Sequence, residues 1–263
     1  MRQKHGQNFL IDNNIVNKII KAANLSKQDD VLEIGPGKGI LTKIIQPQVR
    51  HLIAVEIDGV LCQQLGRCSS FRGVQNFELI NADFFKYNML VGTFKIISNL
   101  PYNVGTAIIQ KILPLKNWTS AVFMLQKEVA QRLVAGCGSK RYGYMSIFTS
   151  YYADCAILFD VSSKCFAPSP KIVSSVVKLT NKFSSQPESI FFDFIKHSFN
   201  MRRKTVLNCI SSFQNLEKIQ ARQVVDNLKL NPLLRPDKLS VLDFLRLTNE
   251  IKNMQLDMCK TLW

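Results

Sequence analysis

Asn99-Leu100-Pro101-Tyr102 is the tetrapeptide of this 263-residue chain that carries the most chemistry. The side-chain oxygen of Asn99 and the backbone carbonyl of Leu100 are two acceptors that can take both N–H bonds of an exocyclic amine such as that of adenine. The lone pair of such an amine is delocalised into the ring, which makes it a poor nucleophile. Two acceptors favour a tetrahedral nitrogen and free the lone pair for an electrophilic methyl group. No strong base is needed, because the proton can leave after transfer. Pro101 fixes φ and stiffens the loop. Tyr102 offers an aromatic face on which a base stacks, worth about 1–3 kcal/mol. Asn and Pro are also common turn residues, so a plain strand-to-turn segment is the competing reading of these four residues alone.

A methyl donor needs its own site, and the chain supplies candidates upstream. Glu33-Ile34-Gly35-Pro36-Gly37-Lys38-Gly39 follows an apolar run. Glycines let a backbone turn sharply and approach a ligand closely. Gly35 and Gly37 match the first two positions of a dinucleotide fingerprint, but Ile40 stands at the third and Gly39 comes one residue early. An ordinary turn is the alternative. Glu56 lies about 20 residues further on, at the end of the second apolar run, where an acid can accept from both hydroxyls of a ribose. Asp83, in Asn81-Ala82-Asp83-Phe84, ends the third run, from where it could accept from an adenine amine with Phe84 as an apolar wall. Each acid by itself could equally be a helix cap or a solvated loop residue. Three such features at successive strand ends point to one ligand, because ligands of parallel sheets sit at the carboxyl ends of the strands.

The elements that must position these residues are legible as alternating patterns. Short apolar runs at 31–34, 52–57, 77–80, 94–98, 121–125, 155–159 and 173–179 read as strands. Helical patterns at 13–23, 41–45, 59–68, 107–113 and 128–135 lie between most of them. Alternation of this kind predicts an α/β fold with a doubly wound parallel sheet. The last two runs are joined through Pro168 and Pro170 with no helix, which predicts an antiparallel pair at one end of the sheet. Residues 181–187 read as a linker. Beyond it Phe191, Phe194, Ile195 and Phe199 share one helix face, and Pro232 and Pro236 break the later pattern. The expected organisation is therefore a catalytic domain over 1–182 and a small all-helical domain over 183–263.

Composition narrows the class of partner. Thirty-four basic against 19 acidic residues give a net charge of +15, which favours a polyanion, nucleic acid before membrane. Residues 183–263 hold 12 basic and 8 acidic residues, so +11 of the charge falls in 1–182 and that part is expected to meet the polyanion itself. Lys140-Arg141-Tyr142-Gly143 reads as an RNA-facing loop and Arg202-Arg203-Lys204 as a phosphate clamp, with a solvated surface the alternative for each. No apolar run is long enough for a membrane span, and Met1–Gly6 carries no apolar leader, so no secretory signal is expected. Seven scattered cysteines without a C-x-x-C pair, and three isolated histidines, predict reduced thiols in a cytoplasmic protein and no metal site.

With these residues in order, the chain closely resembles the ribosomal RNA adenine dimethyltransferase family. The resemblance rests on Gly6-Gln7-Asn8-Phe9-Leu10, Glu33-Ile34-Gly35-Pro36-Gly37, Glu56-Ile57-Asp58, Asp83, Asn99-Leu100-Pro101-Tyr102, Cys165-Phe166-Ala167-Pro168-Ser169-Pro170-Lys171 and Arg202-Arg203-Lys204-Thr205, and it covers nearly the whole chain. It implies a seven-stranded Rossmann-like class I methyltransferase sheet with a helical C-terminal domain assisting RNA binding. It also implies S-adenosylmethionine as donor and N6,N6-dimethylation of two adjacent adenosines near the 3′ end of small-subunit (16S) ribosomal RNA, bare or in an assembling 30S particle. Residue by residue, it implies that Asn8, Leu10 and Gly37 contact the cofactor, Gly35 lies against its methionine part, Glu56 holds the ribose and Asp83 the adenine. Asn99 would bind cofactor and target amine, with Tyr102 and Phe166 sandwiching the flipped base. The family usually has a longer basic arm, an acid where Val173 stands and a small residue where Lys38 stands. The sister group that methylates large-subunit RNA, and an assembly factor that mainly binds, are the rival readings. Leu100 and the Phe166 segment favour the small-subunit enzyme. A monomer is expected.

Overall fold

The apolar runs read from the sequence become the strands of one sheet, and the central ones, at 31–34, 52–56, 94–98 and 121–125, are buried on both faces, as crossover helices require. A computed structural model of the chain describes residues 8–88, 92–185, 187–213 and 216–260, with side chains through 256. Gly6 and Gln7 of the first motif, His5 and Gln186 of the expected linker lie outside the described residues. The described elements are β1 (Phe9–Leu10), α1 (Asn13–Ala23), β2 (Asp30–Ile34), α2 (Thr42–Ile45), β3 (His51–Glu56), α3 (Gly59–Gly66), β4 (Phe77–Asn81), β5 (Phe94–Asn99), α4 (Gly105–Ile112) and β6 (Trp118–Gln126). They continue with α5 (Lys127–Leu133), α6 (Tyr144–Tyr152), β7 (Ala153–Val161), β8 (Phe166–Ala167), β9 (Ser174–Asn181), α7 (Ser189–Asn200), α8 (Val206–Ser212), α9 (Lys218–Asn227) and α10 (Val241–Lys260).

Seven strands pair in the order β4-β3-β2-β5-β6-β9-β7. The first five are mutually parallel, and β9 runs antiparallel to both β6 and β7. The Pro168–Pro170 connection thus closes an antiparallel end of the sheet, as its lack of a helix predicted. The strand order reverses between β2 and β5, the switch point where a crevice opens at the carboxyl ends. A separate two-stranded pair joins β1 to β8, with Phe9 opposite Ala167 and Leu10 opposite Phe166. Neither short strand is predicted by periodicity, because two residues carry none.

Helix α1 shows how local chemistry fixes an element. Asp12 caps it by accepting from Asn14 N and Ile15 N at 2.8 and 3.2 Å, and Asn24 ends it in the left-handed region. Val16, Ile19, Ile20 and Ala23 form its buried face. They join Val31, Leu52, Ile97, Val122 and Val176 of the sheet in one core cluster, and each large aliphatic side chain so buried contributes about 1.5–3 kcal/mol.

The chain divides into two units. The first holds the residues up to Gln131 and Tyr152–Phe183; the second holds Arg132–Tyr151 and the residues from Ser184 onward. The expected boundary after residue 182 falls within two residues of this division, but the segment 132–151 goes with the helices rather than the sheet. Burial explains the difference. Tyr142 and Ile147 are enclosed in the same core as Phe191, Phe194, Val206, Val224 and Phe244. Helix α6, Tyr-Met-Ser-Ile-Phe-Thr-Ser-Tyr-Tyr, is rich in β-branched and aromatic residues, which hid its helical character from propensity.

Candidate active site

Four strand ends meet one cavity of about 340 Å³ in the first unit, within the roughly 300–1,000 Å³ of small-molecule sites. The glycine loop after β2 forms one wall. Gly37 and Gly39 have φ of +58° and +78°, where a side chain is strained. A Cβ on Gly37 would also lie 3.2 Å from the Phe9 ring, and one on Gly39 only 2.3 Å from Leu65. Gly39 therefore takes the structural place of the third glycine, one residue earlier than the dinucleotide pattern requires.

Glu56, at the end of β3, is 4% exposed. Its Oε2 accepts from Gly37 N at 3.0 Å and its Oε1 from Asp58 N at 2.9 Å. The carboxylate is thus held in the cavity wall by backbone donors, with lone pairs left for a ligand's hydroxyls. Asp58 caps α3 instead of facing the ligand, accepting from Val60 N and Leu61 N. Asp83 follows β4, where Asn81 Nδ2 and Ala82 N both donate to the Glu56 carbonyl and fix the two strand ends together. Its Oδ1 accepts from Phe85 N at 2.9 Å, and Phe84 and Phe85 extend the wall beside it.

Glu33, quoted in the motif but given no role by sequence reasoning, also lines the cavity. It is 1% exposed and lies beside the Thr42 hydroxyl. Burial pushes its carboxyl up to about 8, against a hydrogen bond from Thr42 and with a smaller push from Glu56. One acid inside the apolar run 31–34 is the signal the sequence offers for it.

The Asn99-Leu100-Pro101-Tyr102 loop lies on the opposite side of the crevice. Ser98, buried behind it, donates to the Ile34 carbonyl and ties β5 to the glycine-loop strand. Leu100 N donates to Met124 O at 2.9 Å. Asn99 Nδ2 donates to Asn8 O at 3.3 Å. That bond uses one N–H of the amide and leaves its oxygen to accept from a ligand. The Tyr102 hydroxyl and Ser174 Oγ are 2.5 Å apart, which fixes the ring, and burial raises the phenol above its usual range. Ser174, fully buried at the start of β9, was not singled out from the sequence.

Asn8, Leu10, Gly35, Gly37, Glu56, Asp83, Asn99, Leu100, Pro101 and Tyr102 all line this cavity. Phe9 and Lys38 join them, with Lys38 Nζ 4.7 Å from the centre of the Phe9 ring. Phe166 is the exception. Its ring is 3% exposed, packed in the core with Leu10 and Val16, and it does not line the cavity. The pairing of β8 with β1 places it there, and it could meet a base only by leaving that core.

In the second unit Tyr142 is also not the surface residue expected. It is buried, and its hydroxyl donates to Leu239 O at 2.9 Å. Lys140 and Arg141 remain exposed. Arg202 donates to Ser139 O at 3.3 Å, so the two basic clusters form one surface.

A seven-stranded sheet with an antiparallel end, a glycine loop at its switch point and an acid at the end of the next strand are together the architecture of a class I methyltransferase. Residues 1–253 match the family model for ribosomal RNA adenine dimethylase. Two proteins named ribosomal RNA small subunit methyltransferase A are similar to this chain. That of Alkaliphilus oremlandii is 39% identical, covering 94% of this chain and 90% of its own. That of Clostridium botulinum is 37% identical, covering 93% and 91%. Among solved structures, a dimethyladenosine transferase from Plasmodium falciparum superimposes with a TM-score of 0.86 at 26% identity, covering 94% of this chain and 98% of that one. The chain belongs to the ribosomal RNA adenine dimethylase family. It is an S-adenosylmethionine-dependent enzyme acting on ribosomal RNA, and the cavity suits that donor: backbone against backbone-sized space at Gly37, a held carboxylate at Glu56, and an apolar wall at Phe84.

Proposed function

We propose that this enzyme dimethylates N6 of two adjacent adenosines near the 3′ end of small-subunit (16S) ribosomal RNA. It does so as a cytoplasmic monomer acting during assembly of the 30S particle. The observation that carries the chemistry is Asn99, which lines the cavity and whose amide nitrogen donates to Asn8 O. Its oxygen and the Leu100 carbonyl accept the two N–H bonds of the target amine. Tyr102, locked by Ser174, supplies the stacking face for a base taken out of its helix, a cost of a few kcal/mol that is smaller in a loop.

Bound S-adenosylmethionine supplies an electrophilic methyl group. Glu56 would accept from its ribose hydroxyls and Asp83 from its adenine amine, and Gly35 would lie along its methionine part with Gly37 beside it. Asn8 and Leu10 would contact it from the N-terminal segment. The names of the relatives support the small subunit as target. The net charge of +15, of which +8 falls in the first unit, supports direct phosphate contact by that unit. The joined Lys140–Arg141 and Arg202–Lys204 clusters add phosphate contacts from the second. RNA affinity should then fall steeply on a plot of log K against log salt; a flat plot would remove the phosphate contacts.

The test uses small subunits lacking adenine methylation, labelled methyl donor and mass mapping of modified nucleotides. Two N6-dimethyladenines near the 3′ end are expected. Label in large-subunit RNA would move the enzyme to the sister specificity, and RNA binding without label would favour an assembly factor.

A further inference from the structure

Helix α4 begins three residues after Tyr102 and carries Lys111 in its last turn. Lys111 Nζ donates to the carbonyl oxygens of Phe84, of Phe85 at 2.9 Å and of Tyr87 at 2.8 Å. An ammonium has three N–H bonds, and here all three go to a single turn. The same nitrogen lies 4.8 Å from the centre of the Phe84 ring, within cation–π range. The side chain is partly buried, which lowers its pKa, and the charge of Asp83 opposes that shift.

The turn it grips is the one that carries Asp83, Phe84 and Phe85 into the cavity. That turn leaves β4, the edge strand of the sheet, so no further strand lies on its outer side among the described residues. Internally it is closed by Lys86 N and Tyr87 N on Asp83 O, and by Phe85 N on Asp83 Oδ1. Those bonds shape the turn without fixing it to the rest of the sheet. Lys111 reaches it across about 25 residues of sequence, from the helix that follows the catalytic loop. Removing the ammonium leaves three carbonyls without their donor and the turn without its outer anchor.

We propose that Lys111 is a positioning residue that sets the Asp83–Tyr87 turn at the adenine edge of the methyl donor and thereby sets the preference for a 6-amino purine. The inference rests on the reading that Asp83 accepts from the adenine amine.

The test is calorimetric titration of the full chain with S-adenosylhomocysteine and with its 6-oxo analogue, S-inosylhomocysteine. The wild type should bind the 6-amino form on the order of 10- to 100-fold more tightly, the range of a hydrogen bond to a charged group. In Lys111→Met the ratio should fall below about threefold, and Lys111→Arg, which keeps charge but presents a planar fork, should fall between. General loosening of the fold weakens both ligands together and leaves the ratio unchanged, so the ratio separates positioning from stability. Asp83→Ala is the control. If it abolishes the preference while Lys111→Met and Lys111→Arg keep the wild-type ratio, the role of Lys111 is overturned and that of Asp83 stands. If the wild type shows no preference, or Asp83→Ala keeps it, the reading of Asp83 fails and takes the inference with it.

Discussion

The two sides of the cavity are built by different means. The donor side is assembled over short sequence distances: Glu56 is held by Gly37, 19 residues away, and by Asp58, two away. The target side is tied from afar. Asn99 bonds to Asn8 across 91 residues and Tyr102 to Ser174 across 72. The glycine loop and Glu56 are therefore set within one β-α-β stretch, whereas the loop at Asn99 takes its geometry from both ends of the first unit. Damage to the chain far from the loop should reach catalysis before it reaches donor binding.

Mutations can break or sharpen this contrast. The largest effect is expected at Asn99. Asn99→Ala removes an acceptor aimed at the reacting amine and should lower kcat by about 10²–10³-fold, by analogy with loss of a preorganised polar group. Affinity for S-adenosylhomocysteine should change by less than about tenfold and most RNA affinity should remain. Turnover equal to wild type would take Asn99 out of catalysis. Next comes Glu56→Ala, which should raise the Kd for S-adenosylhomocysteine by roughly 10- to 100-fold. RNA affinity measured without donor should not move; a parallel loss would show that the two sides are not separable.

Tyr102 divides stacking from anchoring. Tyr102→Ala should weaken target-RNA binding by roughly 5- to 150-fold, the equivalent of about 1–3 kcal/mol. Tyr102→Phe keeps the face, loses the Ser174 bond and should cost only a few-fold. An equal loss in both would assign the effect to the hydroxyl.

The smallest effect on turnover, and the clearest on stability, belongs to Glu33. Its carboxyl stays protonated in the fold up to about 8, against 4.5 for the free group. The folded state thus binds more protons between those values, and wild-type stability declines as pH rises through that window. Glu33→Gln removes the dependence. Its Tm should lie close to that of the wild type near pH 5 and exceed it increasingly towards pH 8. A constant offset across that range would mean that Glu33 ionises as freely in the fold as outside it.

Glu33 and Phe166 mark how far the sequence reaches. The strand ends that carry Gly35, Glu56, Asp83 and Asn99 were legible because apolar runs alternate with helices and polar residues fall where the runs stop. Glu33 sits inside such a run, and nothing local tells a buried acid from a solvated one. Phe166 was expected opposite Tyr102 because both belong to one motif set; the two-residue pairing with β1 put it in the core instead. Helix α6 and the buried Tyr142 escaped for a related reason, since their partners come from the chain beyond residue 184.

The sequence by itself determined the sheet, its antiparallel end and the identities of the groups at its carboxyl edge. Those follow from periodicity, turn residues and spacing, which act over a few neighbours. Only the tertiary structure decided which end of the Asn99 amide is bonded to Asn8, what locks Tyr102, and what anchors the Asp83 turn. Each of those depends on a hydrogen bond between groups far apart in the chain, and such a bond exists only once the sheet has brought them together.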